Sequence, residues 1–494
     1  MVKKGLFYIR NFYFQFLHWI LFHFKFRRIF KNSDLPSNLL KSYCSQRSNK
    51  SNKSLCNAPF SSFYLGLDGY VTPCCFNRKI KFGKYNSQLF HEIWNGKIMN
   101  EFRKELMNYK FPEGCTKCKD HFLNSNFKAM GALNYDNLPG LPEQPSQLIF
   151  ELSNKCNYQC IMCKGSDYDW LSIIEQNRTE NTNYTFLFNQ LDSVIPKLYE
   201  AKFLGGEPFL IESYYNIFER IISLNPNCIL DVQTNGSILD DRLKKIMEKG
   251  RFRIGTSLDS LNAETFGNIR KGGDLKDVLG NIDYFFNYTR RKNTSLYFAI
   301  CLMTVNWEGI PDIINFCNSY NAHVFFNTVM TPQHLSLFCL PPEKLEPIIS
   351  YLENAKLRAA NYIENSNKIA YLEYVAELRT WYQYEVKLNK INRDNMDELE
   401  GIPLSEILNE LKSKYQRAFI SNEYQNINMQ NRYSLISEKL LETFPDDIYF
   451  KKMLRSTINM PDEEFKKGIS KKNIDELLSI SKQEYSRIKT SYTR

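Results

Sequence analysis

Cys156, Cys160 and Cys163 stand in the spacing C-x3-C-x2-C. Three thiolates spaced this way can hold three irons of an iron–sulfur cluster and leave the fourth iron open, whereas four cysteines would close the site. An open coordination position is what a catalytic metal needs. Chance would produce one given three-cysteine spacing only about 0.01 times in a chain with this many cysteines. A second set lies upstream. Cys56 is followed by twelve residues and Gly69, then by four residues and Cys74, and much later come Cys115 and Cys118 as C-x2-C. Four thiolates in two groups suit a closed four-coordinate site, for which Zn2+ and a [4Fe-4S] cluster both qualify on spacing alone. Cys75 is a possible substitute for Cys74, although the x4 count favours Cys74.

The segments between these cysteines supply the frame. Residues 148–152 read as a short buried strand with the cysteine triplet on the loop beyond its end. Residues 202–204 run into Gly205, Gly206, Glu207 and Pro208, where glycines permit close backbone approach to a ligand and the carboxylate can accept from an ammonium group. Residues 231–233 lead into Thr234-Asn235-Gly236, and 254–258 lead into Asp259. Residues 296–303 and 323–329 are further apolar runs of strand length. Helical periodicity falls between them at 214–224, 242–249 and 310–317. Strands alternating with helices predict an α/β fold with a parallel sheet and active residues on the loops after its strands. Upstream, two alternating strands joined through Asp68-Gly69 predict a hairpin that presents Cys74.

On these motifs the chain resembles the radical S-adenosylmethionine (radical SAM) superfamily, over roughly residues 148–332. The resemblance implies a partial (β/α)6 TIM-like barrel in which Cys156, Cys160 and Cys163 hold a [4Fe-4S] cluster whose open iron chelates the amino and carboxylate groups of SAM. It also implies that Gly205, Gly206, Glu207 and Pro208 contact the methionine amino group, that Ser257 and Asp259 are polar SAM contacts, and that Arg270 pairs with the SAM carboxylate. Met162 stands where relatives often carry an aromatic residue. The upstream block, C-x12-G-x4-C with its hairpin, the Glu92-Ile93-Trp94-Asn95 helix and C-x2-C, resembles the SPASM/twitch domains, in which Cys56, Cys74, Cys115 and Cys118 would hold an auxiliary [4Fe-4S] cluster. The longer SPASM pattern continues with a cysteine where this chain has Asn124, which points to the shorter twitch form. The best-known relatives place this domain after the barrel; here it precedes it.

The remaining sequence bounds the partners. Of the net charge of +10, seven positive charges fall within the first 31 residues, where no acid occurs, so the rest of the chain carries only +3 and nucleic acid is not an expected partner. That first segment is also aromatic, and its uncharged stretch, residues 11–24, is shorter than the roughly 20 residues of a spanning helix. Residues 1–32 therefore read as a basic amphipathic segment suited to peripheral membrane contact, with burial against the protein's own domains as the alternative. The expected location is cytoplasmic, at the inner face of a membrane if that contact forms. Six cysteines lie outside the two sets and form no secreted disulfide pattern. Of these, Cys301 could give a hydrogen atom to a substrate radical, though burial is the commoner reason for a free cysteine.

The expected organisation is an amphipathic segment at 1–32, a twitch-like domain at 33–145, the barrel at 146–338 and a mainly helical region at 339–494 that carries no metal, nucleotide or nucleophile motif. The resemblance implies an oxidoreductase-type enzyme that cleaves SAM reductively, takes hydrogen from a substrate C–H bond and draws electrons from a donor such as flavodoxin or ferredoxin. A carbohydrate or aminocyclitol-like small molecule is the expected substrate, since no peptide-binding domain is visible before the barrel. A peptide-modifying enzyme is the alternative, and a non-catalytic electron carrier a second one. The sequence names no acid or base for the chemistry.

Overall fold

Strands of this chain alternate sharply between large apolar and polar residues, and that period of two decides which way the sheet faces. In a computed structural model, residues 33–48, 51–163, 184–419, 426–462, 465, 468–469 and 472–493 are described. The amphipathic segment expected at 1–32 lies outside them. Nine strands form one sheet: β1 (Ser62–Leu65), β2 (Tyr70–Thr72), β3 (Gly83–Lys84), β4 (Gln147–Phe150), β5 (Glu200–Phe203), β6 (Ile229–Thr234), β7 (Phe252–Ser257), β8 (Leu296–Leu302) and β9 (His323–Thr328). Their order is β3-β2-β1-β4-β5-β6-β7-β8-β9. β4 to β9 are all parallel neighbours, which is the six-stranded parallel core the sequence predicts. The sheet does not close on itself, so the barrel is partial.

One face of the sheet carries Phe150, Phe203, Val232, Ile254 and Ile300, all fully buried. They pack against the connecting helices. Phe203 stacks on Phe150 at 5.1 Å and meets Phe218 of helix Glu212–Leu224 edge-on at 4.6 Å, and Phe218 in turn meets Phe252 at 5.2 Å. Burying each such ring contributes roughly 1.5–3 kcal/mol, enough to fix the strand register against a one-residue slip. Helix starts are set by polar caps: the Asp240, Asn262 and Asp274 side chains accept from Leu243, Thr265 and Lys276 N–H groups.

The cysteine-rich region is not a separate body. β1 and β2 form the expected hairpin, pairing Tyr64 with Thr72, and β1 continues the barrel sheet by pairing parallel to β4, Ser62 with Gln147 through Leu65 with Phe150. Trp94, buried on the predicted helix Phe90–Trp94, packs edge-on to Phe63 of β1 at 5.3 Å. Compact units are residues 1–378 and 379–494, so the break falls inside helix Tyr362–Glu400 rather than at 338/339. The reason is polar: Asn367 accepts from the Val324 N–H of edge strand β9 at 2.9 Å and donates to the Ala322 carbonyl at 2.9 Å, satisfying buried backbone groups. The second unit has its own apolar core, with Ile407, Leu411, Phe450 and Leu454 buried together. Among the described residues no helix is long and apolar enough to cross a membrane.

A chain ending at Leu378 should stay soluble, because it keeps the whole sheet. A chain beginning at Ser146 should precipitate, because β4 would lose its partner strand and expose an unpaired edge. Soluble yield and gel filtration check this; a soluble monomer of residues 146–494 would contradict it.

Candidate active site and auxiliary cysteine site

The triplet loop leaves β4 and is clamped to the ends of β5, β6 and β7. Gly205, at φ +116°, and Gly206 lie directly against it: a Cβ on Gly205 would stand 2.2 Å from the Ser153 carbonyl oxygen, and one on Gly206 2.1 Å from that of Lys155. The Gly206 and Glu207 N–H groups donate to those same two carbonyls at 3.1 and 2.8 Å. In this structure the two glycines thus admit the backbone of the cysteine loop. Pro208 opens a short helical turn, Pro208–Leu210.

Glu207 is fully buried. Its Oε1 accepts from the Thr234 hydroxyl at 2.7 Å and the Phe209 N–H at 3.1 Å, and its Oε2 from the Asn235 N–H at 2.7 Å. Burial pushes its carboxyl up to about 7 despite these bonds. The sequence predicts an acceptor for an ammonium group; the structure shows that both oxygens are already engaged in tying β5 to β6. Asn235, missed as a site residue, carries the connection onward: its side-chain amide donates to Asn157 Oδ1 at 2.9 Å and lies 3.8 Å from Cys156 Sγ.

On the other side of the loop, Arg270 and Asp259 pair at 2.6 Å, both buried. Asp259 also accepts from the Cys301 N–H at 2.7 Å, and Arg270 Nη1 lies 3.9 Å from Cys160 Sγ. The two expected SAM contacts are therefore each other's partner here, while Arg270 Nε is buried without a hydrogen-bond partner. Ser257 stands apart, accepting from Gln233 Nε2 at 3.2 Å. Cys160 and Cys163 share a hydrogen bond, which lowers the Cys163 thiol and raises that of Cys160. Cys301 sits against Asp259, Arg270 and Cys163, and burial pushes its thiol up to about 12.

The four auxiliary cysteines lie on separate stretches of the chain. Cys56 lies electrostatically close to Cys118 and Cys115, and Cys74 to Cys56. Cys56 and Cys74 pack on Tyr64, Tyr135 and Ile149, which places them over β1 and β4. Burial raises all four thiols, Cys56 to about 12 and Cys115 to about 11, so only a bound cation would draw off their protons near neutrality. N–H groups surround them: Ala58 donates to Cys56 Sγ at 3.4 Å, Phe76 and Asn77 to Cys74, the Asn77 side chain to Cys115 at 3.4 Å, and Gly131 and Ala132 to Cys118. Such a donor shell fits thiolates around a cluster. Cys75 faces Arg78, Lys202 and Glu151 instead, which supports Cys74 as the ligand. Among the described residues no three His, Cys, Asp or Glu are drawn together tightly enough for a single metal ion; thiolates around a four-iron cube stand further apart than around one ion.

Between the two thiol sets, the inner sheet face carries charge that the sequence reading passed over. Arg78 bridges Glu151 at 2.9 Å and the Tyr64 hydroxyl at 2.9 Å, and that hydroxyl donates to Glu151 Oε2. Lys202 meets Asp231 at 3.3 Å, which also accepts from the Tyr297 hydroxyl at 2.9 Å. Arg253, level with Asp231 in the sheet, pairs with Asp231 at 3.8 Å and with Glu200, nearer the strand starts, at 2.5 Å.

Fold and site together define a partial barrel with Cys156, Cys160 and Cys163 on the loop after β4. Residues 150–317 match the Radical SAM superfamily and residues 56–119 match the SPASM iron-sulfur cluster-binding domain. The chain thus carries a Radical SAM domain preceded by a SPASM iron-sulfur cluster-binding domain, which imply a SAM-binding [4Fe-4S] cluster and an auxiliary one. Similar curated proteins include a probable GTP 3′,8-cyclase of Methanocaldococcus jannaschii, 28% identical over 183 residues and covering 35% of this chain and 56% of that one. The GTP 3′,8-cyclase of Clostridium botulinum is 23% identical over 187 residues, covering 37% and 56%. The chain spans little more than half the length of these relatives. Among solved structures, Streptococcus suis SuiB bound to S-adenosylmethionine is similar at 16% identity and TM-score 0.30, covering 53% of this chain and 61% of that one; so low a score carries no argument.

Two outcomes follow. Anaerobically reconstituted protein should hold about eight iron atoms, and replacing Cys156, Cys160 and Cys163 with Ala should remove about half; four irons with one zinc in the isolated protein would defeat the auxiliary-cluster assignment. Glu207→Ala strands three buried donors, at roughly 1–3 kcal/mol each, and should weaken SAM binding at least about tenfold by equilibrium dialysis; an unchanged affinity would show that the clamp does not shape the SAM site.

Proposed function

We propose that this chain is a radical SAM enzyme that oxidises a carbohydrate or aminocyclitol-like small molecule by two electrons. Cys156, Cys160 and Cys163 would hold the SAM-binding cluster, and Cys56, Cys74, Cys115 and Cys118 the auxiliary one. When bound, the first supplies reductive cleavage of SAM and hence a radical able to take hydrogen from an unactivated C–H bond. Arg270, with one buried N–H unmet beside Cys160, is suited to the SAM carboxylate. The clamp of Gly205, Gly206 and Glu207 holds the loop so that SAM meets preformed backbone.

The observation that carries the substrate reading is the charge balance of the inner face. It offers three acids and three bases, Glu151 with Arg78, Asp231 with Lys202 and Arg253, and Glu200 with Arg253, so no net charge is left over. Such a surface recognises a neutral, hydroxyl-rich molecule through directed hydrogen bonds, whereas a triphosphate calls for an excess of cations. This separates the reading from the GTP 3′,8-cyclase activity named for the relatives. In an alcohol-to-ketone conversion the SAM-derived radical would take the C–H hydrogen atom, Glu151 Oε2, held by Tyr64 and Arg78, the hydroxyl proton, and the auxiliary cluster would accept the remaining electron.

Carbon-deuterated aminocyclitols and sugars, GTP and short peptides should be offered in turn to the reduced, reconstituted protein. Deuterium should appear in 5′-deoxyadenosine with one of the polyols. Transfer or turnover with GTP or a peptide, and with none of the polyols, would overturn the reading.

A further inference from the structure

We infer that Asn77 is a positioning residue for the auxiliary cluster, joining the two halves of its cysteine set and raising its reduction potential. The inference rests on the assignment of Cys56, Cys74, Cys115 and Cys118 as ligands. These thiols come from two stretches of chain, one with Cys56 before the β1–β2 hairpin and Cys74 at its exit, the other the loop and helix with Cys115 and Cys118. Something must fix the distance between the halves before any iron arrives, and Asn77 touches both. It stands three residues beyond Cys74 in the chain, with its backbone N–H near enough to that sulfur to favour the thiolate. Its side-chain amide donates to Cys115 Sγ at 3.4 Å and to the Glu113 carbonyl at 2.8 Å. Its Oδ1 in turn accepts from the Ile80 N–H at 3.3 Å, which sets which end of the amide points at sulfur.

The fit is tight. Asn77 is 1% exposed, and Gly114 comes so close that a Cβ there would stand 2.3 Å from Asn77 Oδ1, at a φ of +79° that favours glycine in any case. Cys56, Cys74 and Cys118 all receive backbone N–H groups. For Cys115 the donor is the Asn77 side chain, so this one amide is open to substitution without altering the main chain. An N–H donated to a cluster thiolate draws off negative charge and favours the reduced state. Removing it should therefore lower the potential.

The test uses the full chain with Cys156, Cys160 and Cys163 replaced by Ala, so that the auxiliary site alone gives the signal. Iron content and the midpoint potential are read by EPR-monitored redox titration. At the potential where the parent cluster is half reduced, Asn77→Ala should show about a tenfold lower ratio of reduced to oxidised cluster, equivalent to 59 mV for a one-electron couple. Asn77→Asp keeps the shape and the acceptor but lacks the donating amide; Asn77→Gln keeps an amide. Loss of iron from the Ala and Asp variants with retention in the Gln variant supports the inference equally, since the donor is what separates them. An unchanged potential in Asn77→Ala, or loss of iron from all three alike, overturns it. A parent chain that binds no iron would instead remove the ligand assignment itself.

Discussion

Everything at the mouth of this barrel depends on how closely two peptide chains can approach. Gly205 and Gly206 lie against the Ser153 and Lys155 carbonyls, where a single methyl group on either would collide at about 2 Å. That approach brings the loop after β5 onto the cysteine loop after β4, and Glu207 then extends the contact to β6 through Thr234 and Asn235. A buried carboxylate would be a poor choice for stability alone, since burial pushes it up to about 7. Here its two oxygens satisfy three donors that would otherwise be stranded, and they tie the ends of β5 and β6 together beside the triplet. The Arg270–Asp259 pair closes the opposite side in the same way, charge against charge away from water.

The second consequence of the sheet is that both thiol sets address one surface. Because β1 pairs with β4, Cys56 and Cys74 pack over Tyr64 and Ile149 on the inner face. Their neighbour Cys75 faces Lys202, Arg78 and Glu151. Placing the cysteine-rich region before the barrel rather than after it does not remove it from the site, since strand pairing brings it there. The inner face between the sets is polar and internally neutralised, while the outer face is aromatic and packed on helices. The strand period of two separates the two chemistries with no extra machinery.

The cysteine spacings, the glycine pair, the hairpin and the six parallel strands were legible because each is a local pattern with a mechanical cause. What escaped was nonlocal. Asn77 and Asn235 look like ordinary turn residues in the sequence, and only the folded chain shows their amides directed at cysteine sulfurs. The charged inner face did carry a signal, since Glu200 and Lys202, Asp231 and Gln233, and Arg253 alternate with apolar residues, but runs read for hydrophobicity alone conceal it. Asp259 and Arg270 were found as residues, yet their mutual pairing depends on a loop closing over eleven positions. The composition shift near 338 marks where the sequence changes character; the compact units divide at 378, beyond the point where Asn367 satisfies the backbone groups beside β9.

The central claim is that one four-iron site is open to SAM and the other is closed by protein. Mössbauer spectra of 57Fe-reconstituted protein, recorded with and without SAM, test it most directly. The account predicts two four-iron clusters, of which one contains a single iron whose parameters shift when SAM is added while the other cluster stays unchanged. Spectra that do not respond to SAM, or that respond in both clusters alike, would contradict it.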